Sequence, residues 1–367
     1  MQHFEVTYEA SVSPDAVEAF AEEVLIEQTF ETPLEVVHRY PDVERAGKGE
    51  VARIRPVGEG LFQITLRLPD RNITDAAQLP NALFGNASIH PRIRLVDFEP
   101  SDGLLDKFRG PSIGLKGIRE RLEVSERPLT ATALKPVGIS LADMEKMFVD
   151  FAESGIDIIK DDHYLSDQPG CRFEQRVRRF AHLAKEIGGK AGREIWYTPS
   201  ISGTPEQMRK RLDLAVENGI NCVMIAPMTV GLPTLLEAAE TYPELTVLAH
   251  PSFALSAALD PAVLLGKLFR MLGADAVIFA NAGGRFAYSV NECRLLAAIM
   301  TAPLGSCLPS LPVPAGGISV DSVQEVIRAF GNDCMLLVGG SLLRAKDRRA
   351  AARRFVASVE EHALLQS

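Results

Sequence analysis

Polar and hydrophobic positions alternate strictly over residues 4–10 (FEVTYEA), the period-two signature of a strand with one buried face. Ser13-Pro14-Asp15 then supplies an N-cap and a proline for the first helical turn, and the pattern beyond predicts a helix to about Gln28. Residues 34–40 (LEVVHRY), 50–57 (EVARIRPV) and 61–68 (LFQITLRL) read as strands, residues 75–84 as a helix and residues 92–100 (RIRLVDFEP) as a last strand. A split βαβ, ferredoxin-like α+β sandwich accommodates that series, and the Gly- and Pro-containing stretch 108–119 reads as a linker.

From about Leu129 the pattern changes. Short β-rich runs recur as LTATALKP, DIIKDD, EIWYTPS, CVMIAP, TVLAHPS, AVIFAN, PVPAGG and MLLVGG, alternating with amphipathic helical stretches such as SLADMEKMFVDFAESG and TPEQMRKRLDLAVENG. Several of these helices open on Ser or Thr and close on Gly, the residues that satisfy orphan backbone groups at the two ends. Eight strand–helix units over some 240 residues predict a (β/α)8 TIM barrel. An open doubly wound sheet would place a glycine fingerprint after its first strand, and LKPVGIS is not one. The expected organisation is an N-terminal α+β domain over residues 1–117 and a C-terminal catalytic barrel over residues 118–367.

Composition agrees with two ordinary globular domains: 367 residues, 46% hydrophobic and 24% charged. A net charge of -9 argues against a nucleic-acid partner, which requires a basic face. Cys171, Cys222, Cys293, Cys307 and Cys334 are scattered, with no CxxC pair, and suggest neither a disulfide framework nor a zinc site. The opening MQHFEVTYEA has no signal-peptide character and no run approaches 18 apolar residues, so the expectation is a soluble, cytoplasmic protein without a membrane partner.

A barrel of this kind carries its chemistry at the carboxyl ends of the strands. The residues expected there are Lys135-Pro136, Lys160-Asp161-Asp162-His163, His250, Asn281 with Gly283-Gly284-Arg285, Ala315-Gly316-Gly317 and Gly339-Gly340-Ser341. Glycine pairs after the last two strands suit a phosphate, because backbone N–H groups can approach the anion closely, although tight turns alone also use glycine. Alternation along a strand points Lys160 and Asp162 the same way, either as an ordinary salt bridge or as part of a divalent-metal site. The second reading requires the lysine to lose its charge, which carbamylation by CO2 would accomplish while adding two oxygens.

The run FRGPSIG…RPLTATALKPVGIS…GIDIIKDDH resembles the FxGPxxG, KPK and KDDE segments of RuBisCO, and LAHPSF, PAGGIS and VGGSL resemble its HRA, SGG and GGGTL segments. IEQTFETP and FGNASIH are similar to N-domain segments that reach a partner subunit's site. The chain is identified as a RuBisCO-like protein, colinear over nearly its whole length. The resemblance implies a carbamylated Lys160 holding Mg2+ with Asp162 and His163, Lys135 and His250 as further catalytic groups, and phosphate at Gly316, Gly317, Gly339 and Gly340. It also implies that Glu27, Thr32 and Asn86 contribute across a homodimer or a larger assembly of dimers. His163 stands where the family has Glu, Val137 replaces the second KPK lysine, Pro251 a phosphate-binding arginine and Ala315 the serine of SGG; Arg285 is the nearest cation in the loop that should carry a lysine. These departures exclude carboxylation and leave the enolising half of the chemistry.

The expected function is therefore isomerisation of 5-methylthioribulose 1-phosphate, a methionine-salvage reaction, with Met228, Phe253 and Phe279 as apolar bulk for the methylthio tail. The alternatives are decarboxylation of 3-oxo-isoapionate 4-phosphate, for which Arg285 could meet the carboxylate, and a non-catalytic stress or sulfur-metabolism protein.

Overall fold

The computed structural model describes residues 2–254, 258–284 and 288–364 and separates them into two compact units, Met1–Arg109 with Ala254–Leu268, and Gly110–Phe253 with Phe269–Ser367. The first unit is a four-stranded antiparallel sheet formed by β1 (His3–Ser11), β2 (Glu50–Gly58), β3 (Leu61–Pro69) and β4 (Ile93–Glu99) in the order β2-β3-β1-β4. Central β1 buries Phe4, Val6, Tyr8 and Ala10 as its alternation requires, against helices Val17–Phe30 and Gln78–Phe84. This is the ferredoxin-like order expected. Residues 258–268 belong with it for local reasons: Leu95 bridges to Leu259, and Lys267 Nζ donates to Asp97 Oδ1 at 2.7 Å and to the Phe98 carbonyl at 2.6 Å.

Residues 34–40 are a correction to the sequence reading, since they form the short helix Leu34–Val37 followed by a turn. Prolines 33 and 41 flank the stretch, each favouring an incipient helical turn over a paired strand, and only Val37 of the helix is buried.

The second unit is a barrel of parallel strands: β5 (Leu129–Leu134), β6 (Ile158–Asp161), β7 (Trp196–Thr198), β8 (Ser200–Ile201), β9 (Cys222–Ile225), β10 (Thr246–Ala249), β11 (Ala276–Ala280), β12 (Leu311–Ala315) and β13 (Met335–Leu337). β7 pairs with β6 and β8 with β9, and the two are halves of one strand broken at Pro199, so eight strands close the ring. Inward positions two residues apart (Leu129 and Ala131, Cys222 and Met224, Ala276 and Ile278, Leu311 and Val313) fill the interior.

The second half of the expected linker is not one. Residues 114–122 form helix Gly114–Leu122, whose Ile118 and Leu122 join the barrel-interior cluster at its amino-terminal end. Ile113, Ile118 and Leu122 fall near helical spacing, and buried Asp275 accepts from the Ile113 and Gly114 N–H groups (2.8 and 2.9 Å), satisfying donors at the helix start. Ser140, Thr204 and Ser289 cap the helices that they precede, the last two with full capping boxes. No helix among the described residues is long and apolar enough to cross a membrane.

Candidate active site

Parity along the strands decides what faces the barrel mouth. Ile158 lies in the interior, so Lys160 and Asp162 follow it inward, and the same rule carries Leu248 to His250. Lys160 is 3% exposed; its Nζ donates to the Asp161 carbonyl at 2.9 Å and lies 3.3 Å from Met224 Sδ. Burial with so little compensation pushes its pKa down to about 8, against weaker upward pulls from Asp162 and Asp161.

Asp162 pairs with the half-exposed Lys135 ammonium and accepts at Oδ1 from the Tyr164 N–H at 3.0 Å. Burial works to raise its pKa, but Lys135 and that N–H outweigh it and the net displacement is downward. His163 Nδ1 lies 3.6 Å from Asp162 Oδ2, and its ring stacks on that of His250 with centroids 4.1 Å apart and planes inclined by 16°. Desolvation, followed by the nearby lysines, drives His250 down to about 2, so it is neutral at physiological pH. His250 Nδ1 accepts from the Ser252 N–H at 3.1 Å, which places the ring proton on Nε2. His250 is therefore a fixed neutral donor and a poor base.

Asp161, the other carboxylate of the run, leaves the site. It is fully buried with opposite parity and is held by Arg176 Nε at 3.0 Å and the Tyr197 hydroxyl at 2.9 Å, so it is not available as a ligand. The sequence reading missed Arg176, Tyr197 and Met224. Arg176 carried a legible signal, because it lies on the apolar stripe of helix Phe173–Ala191 with Phe173, Val177 and Phe180. Phe279 corrects the expectation for a substrate tail: it is buried against Phe330, centroids 5.8 Å apart, away from the mouth. Phe253 is 87% exposed and Met228 partly so.

The glycine turns follow β12 and β13. Gly316 and Gly317 both adopt left-handed backbone (φ 88° and 74°), and a Cβ on Gly316 or Gly339 would meet nothing within 4 Å, leaving open space above both turns. Gly317 is glycine for another reason, since its Cβ would stand 2.7 Å from Gly284 Cα. Gly340 abuts the Arg344 side chain. Asn281 is buried after β11, while Arg285 lies outside the described residues. In the first unit Asn86 Nδ2 donates to Glu27 Oε1 at 2.8 Å, and Thr32 is half-buried nearby in sequence. A cavity of about 600 Å3 lined by Lys185, Gly188, Arg193 and Asn218 borders the amino-terminal ends of β7 and β9, the end of the barrel opposite the site.

Among the described residues no three carboxylate, imidazole or thiol side chains converge as a ready metal site. The donors fit a divalent cation once Lys160 is carbamylated. Buried Asp162 Oδ2 is paired here with the Lys135 ammonium, His163, its pKa lowered by burial, adjoins it, and Lys160 would then bring oxygens in place of a repelling ammonium.

Fold and site together define a two-unit barrel protein with a lysine-, carboxylate- and imidazole-lined mouth and paired glycines after its last two strands. The chain belongs to the RuBisCO family: residues 114–354 match the ribulose bisphosphate carboxylase large chain, catalytic domain. It is 40% identical over 359 residues to ribulose bisphosphate carboxylase-like protein 1 of Rhodopseudomonas palustris, covering 97% of each chain. It is also 40% identical to a 5-methylthioribulose-1-phosphate isomerase of Rhodospirillum rubrum, covering 96% of this chain and 95% of that one. Among solved structures, a Rubisco-like protein from Rhodopseudomonas palustris superposes with a TM-score of 0.91 at 36% identity, over 99% of both chains.

Proposed function

We propose that the protein is an enolising isomerase of a phosphorylated ketose, with 5-methylthioribulose 1-phosphate as substrate. The observation that carries this is the convergence of Lys135, Lys160, Asp162, His163 and His250 at one end of the barrel. The 40% identity to an enzyme of that name over nearly both full lengths supports the choice of substrate.

Carbamylated Lys160, Asp162 and His163 would hold Mg2+, which supplies Lewis-acid polarisation of the substrate carbonyl. The substrate's phosphate is held over the Gly316–Gly317 and Gly339–Gly340 turns, with the open space above Gly316 and Gly339 admitting it to the backbone. Lys135 takes the proton from the carbon beside the carbonyl, and return of a proton to the former carbonyl carbon moves the ketone one position along; a second such 1,2-transfer completes a net 1,3-proton transfer. An ammonium has no lone pair, so Lys135 must first give a proton to solvent before it serves as base, and an Asp162 carboxylate engaged in holding the cation would no longer retain that proton by ion pairing. His250 Nε2–H, fixed by the bond at Nδ1, donates to the oxyanion as charge develops. Glu27, Thr32 and Asn86 complete the neighbour's site in a homodimer.

The test is NMR of 5-methylthioribulose 1-phosphate incubated with the protein in D2O. Exchange of the α proton with formation of an isomerised ketose phosphate is expected, and its loss after removal of divalent ions and CO2. Evolution of CO2 from a carboxylated sugar phosphate, with no isomerisation, would replace this reading by a decarboxylase.

A further inference from the structure

The segment that delivers Asp162 and His163 to the mouth, residues 162–172, is clamped from behind chiefly by one side chain. Arg176 is completely buried on helix Phe173–Ala191, and its guanidinium spends every nitrogen on this region. Nε donates to Asp161 Oδ2 at 3.0 Å and also meets the Tyr197 hydroxyl at 3.2 Å; Nη1 donates to the Cys171 carbonyl at 2.8 Å and Nη2 to the Ser166 carbonyl at 2.9 Å. Asp161 in turn accepts from the Tyr197 hydroxyl at 2.9 Å and the Ser200 N–H at 3.1 Å, tying the end of β6 to both halves of the broken strand. Arg211 holds the same segment by donating to Ser166 Oγ at 3.0 Å.

We propose that Arg176 is a positioning residue of the site: by gripping Asp161 at one end of the segment and the Ser166 and Cys171 carbonyls further along, it fixes the Asp162 carboxylate and His163 imidazole in working geometry. The planar fork is what this needs. A lysine can keep the charge opposite Asp161 but cannot reach two carbonyls and a carboxylate in three directions at once. The catalytic consequence rests on the isomerase reading, while the clamp itself does not.

The experiment compares wild type with Arg176→Lys, measuring amide hydrogen exchange across the chain, the denaturant midpoint, and kcat and KM on 5-methylthioribulose 1-phosphate. Exchange of the amides in residues 163–171 should accelerate by about ten-fold or more beyond that of the barrel strands, whose exchange should follow only whatever fall occurs in the midpoint. On that background kcat should fall roughly 100-fold with KM little altered, because displaced reacting groups cost rate rather than phosphate binding. Unchanged loop exchange would overturn the clamp, and so would an activity loss matched by a lower midpoint and faster exchange everywhere. If Arg176→Lys does not fold, Asp161→Asn, which keeps shape and loses the charge, should show the same loop-confined exchange, and its absence overturns the proposal. A wild type inert toward the substrate would defeat the isomerase reading while the exchange comparison still decides the clamp.

Discussion

Lys160, which we propose helps to hold the cation, is buried by the fold at a cost, and replacing it by methionine measures that cost. The ammonium is 3% exposed, and burial depresses its pKa from the ordinary 10.5 to about 8. The folded chain therefore binds this proton less tightly than the unfolded chain. Below about pH 8 both states carry it and the full penalty applies. Between about 8 and 10.5 the unfolded state binds more protons, so stability rises with pH and the penalty fades. At about 1.4 kcal/mol per pH unit the depression amounts to about 3 kcal/mol. Lys160→Met, of similar length and without charge, should be more stable than wild type by up to about 3 kcal/mol at pH 7, less the lost bond to the Asp161 carbonyl, about 1 kcal/mol. The assay is denaturant unfolding of both proteins from pH 7 to 10.5 in CO2-free, metal-free buffer, where the difference cancels every titrating group not coupled to Lys160. The advantage should shrink steadily above pH 8. A variant no more stable than wild type at pH 7, or a difference independent of pH, would refute the reasoning, and the variant should be inactive throughout.

Lys135→Met should lose α-proton exchange by a factor of about 100 to 10,000 while phosphate affinity stays near wild type, measured by NMR in D2O and by calorimetry with substrate. His163→Glu gives Asp162 an oxygen-ligand neighbour and should raise Mg2+ affinity about ten-fold or more by equilibrium dialysis with CO2 present. Gly317→Ala must displace the Gly284 backbone and strain a φ of 74°, so it should lower stability by roughly 1–3 kcal/mol and raise KM; Gly316→Ala, with open space at its Cβ, should incur only the backbone strain, about 1 kcal/mol. His250→Phe should lower kcat roughly 100-fold with no shift in the acid limb of the pH profile, since a ring titrating near 2 contributes nothing to that limb.

Much of this was legible without coordinates. Period-two alternation placed β1, short β-rich runs between helical stretches placed the barrel strands, and Ser, Thr and Gly punctuation placed the helix ends, because all three follow from local geometry and from the requirement to hide apolar side chains. Parity then put Lys160 and Asp162 on one face and sent Asp161 to the other. The sequence failed where a segment's state depended on distant residues. Residues 34–40 have strand-like composition but pair with none of the four sheet strands, and residues 114–122 become a helix where the barrel floor and Asp275 accept them. Protonation and role were likewise tertiary. The depressed Lys160, the tautomer of His250 fixed by the Ser252 N–H and the inward stack of His163 on His250 arise from burial and neighbours, which no spacing encodes. By itself the sequence determined the elements, their order and the set of chemical groups brought to the strand ends, since these depend on local pattern. Only the tertiary structure decided which groups face one another, which charges lose water and which carboxylate is taken by Arg176, because those depend on contacts between residues far apart in the chain.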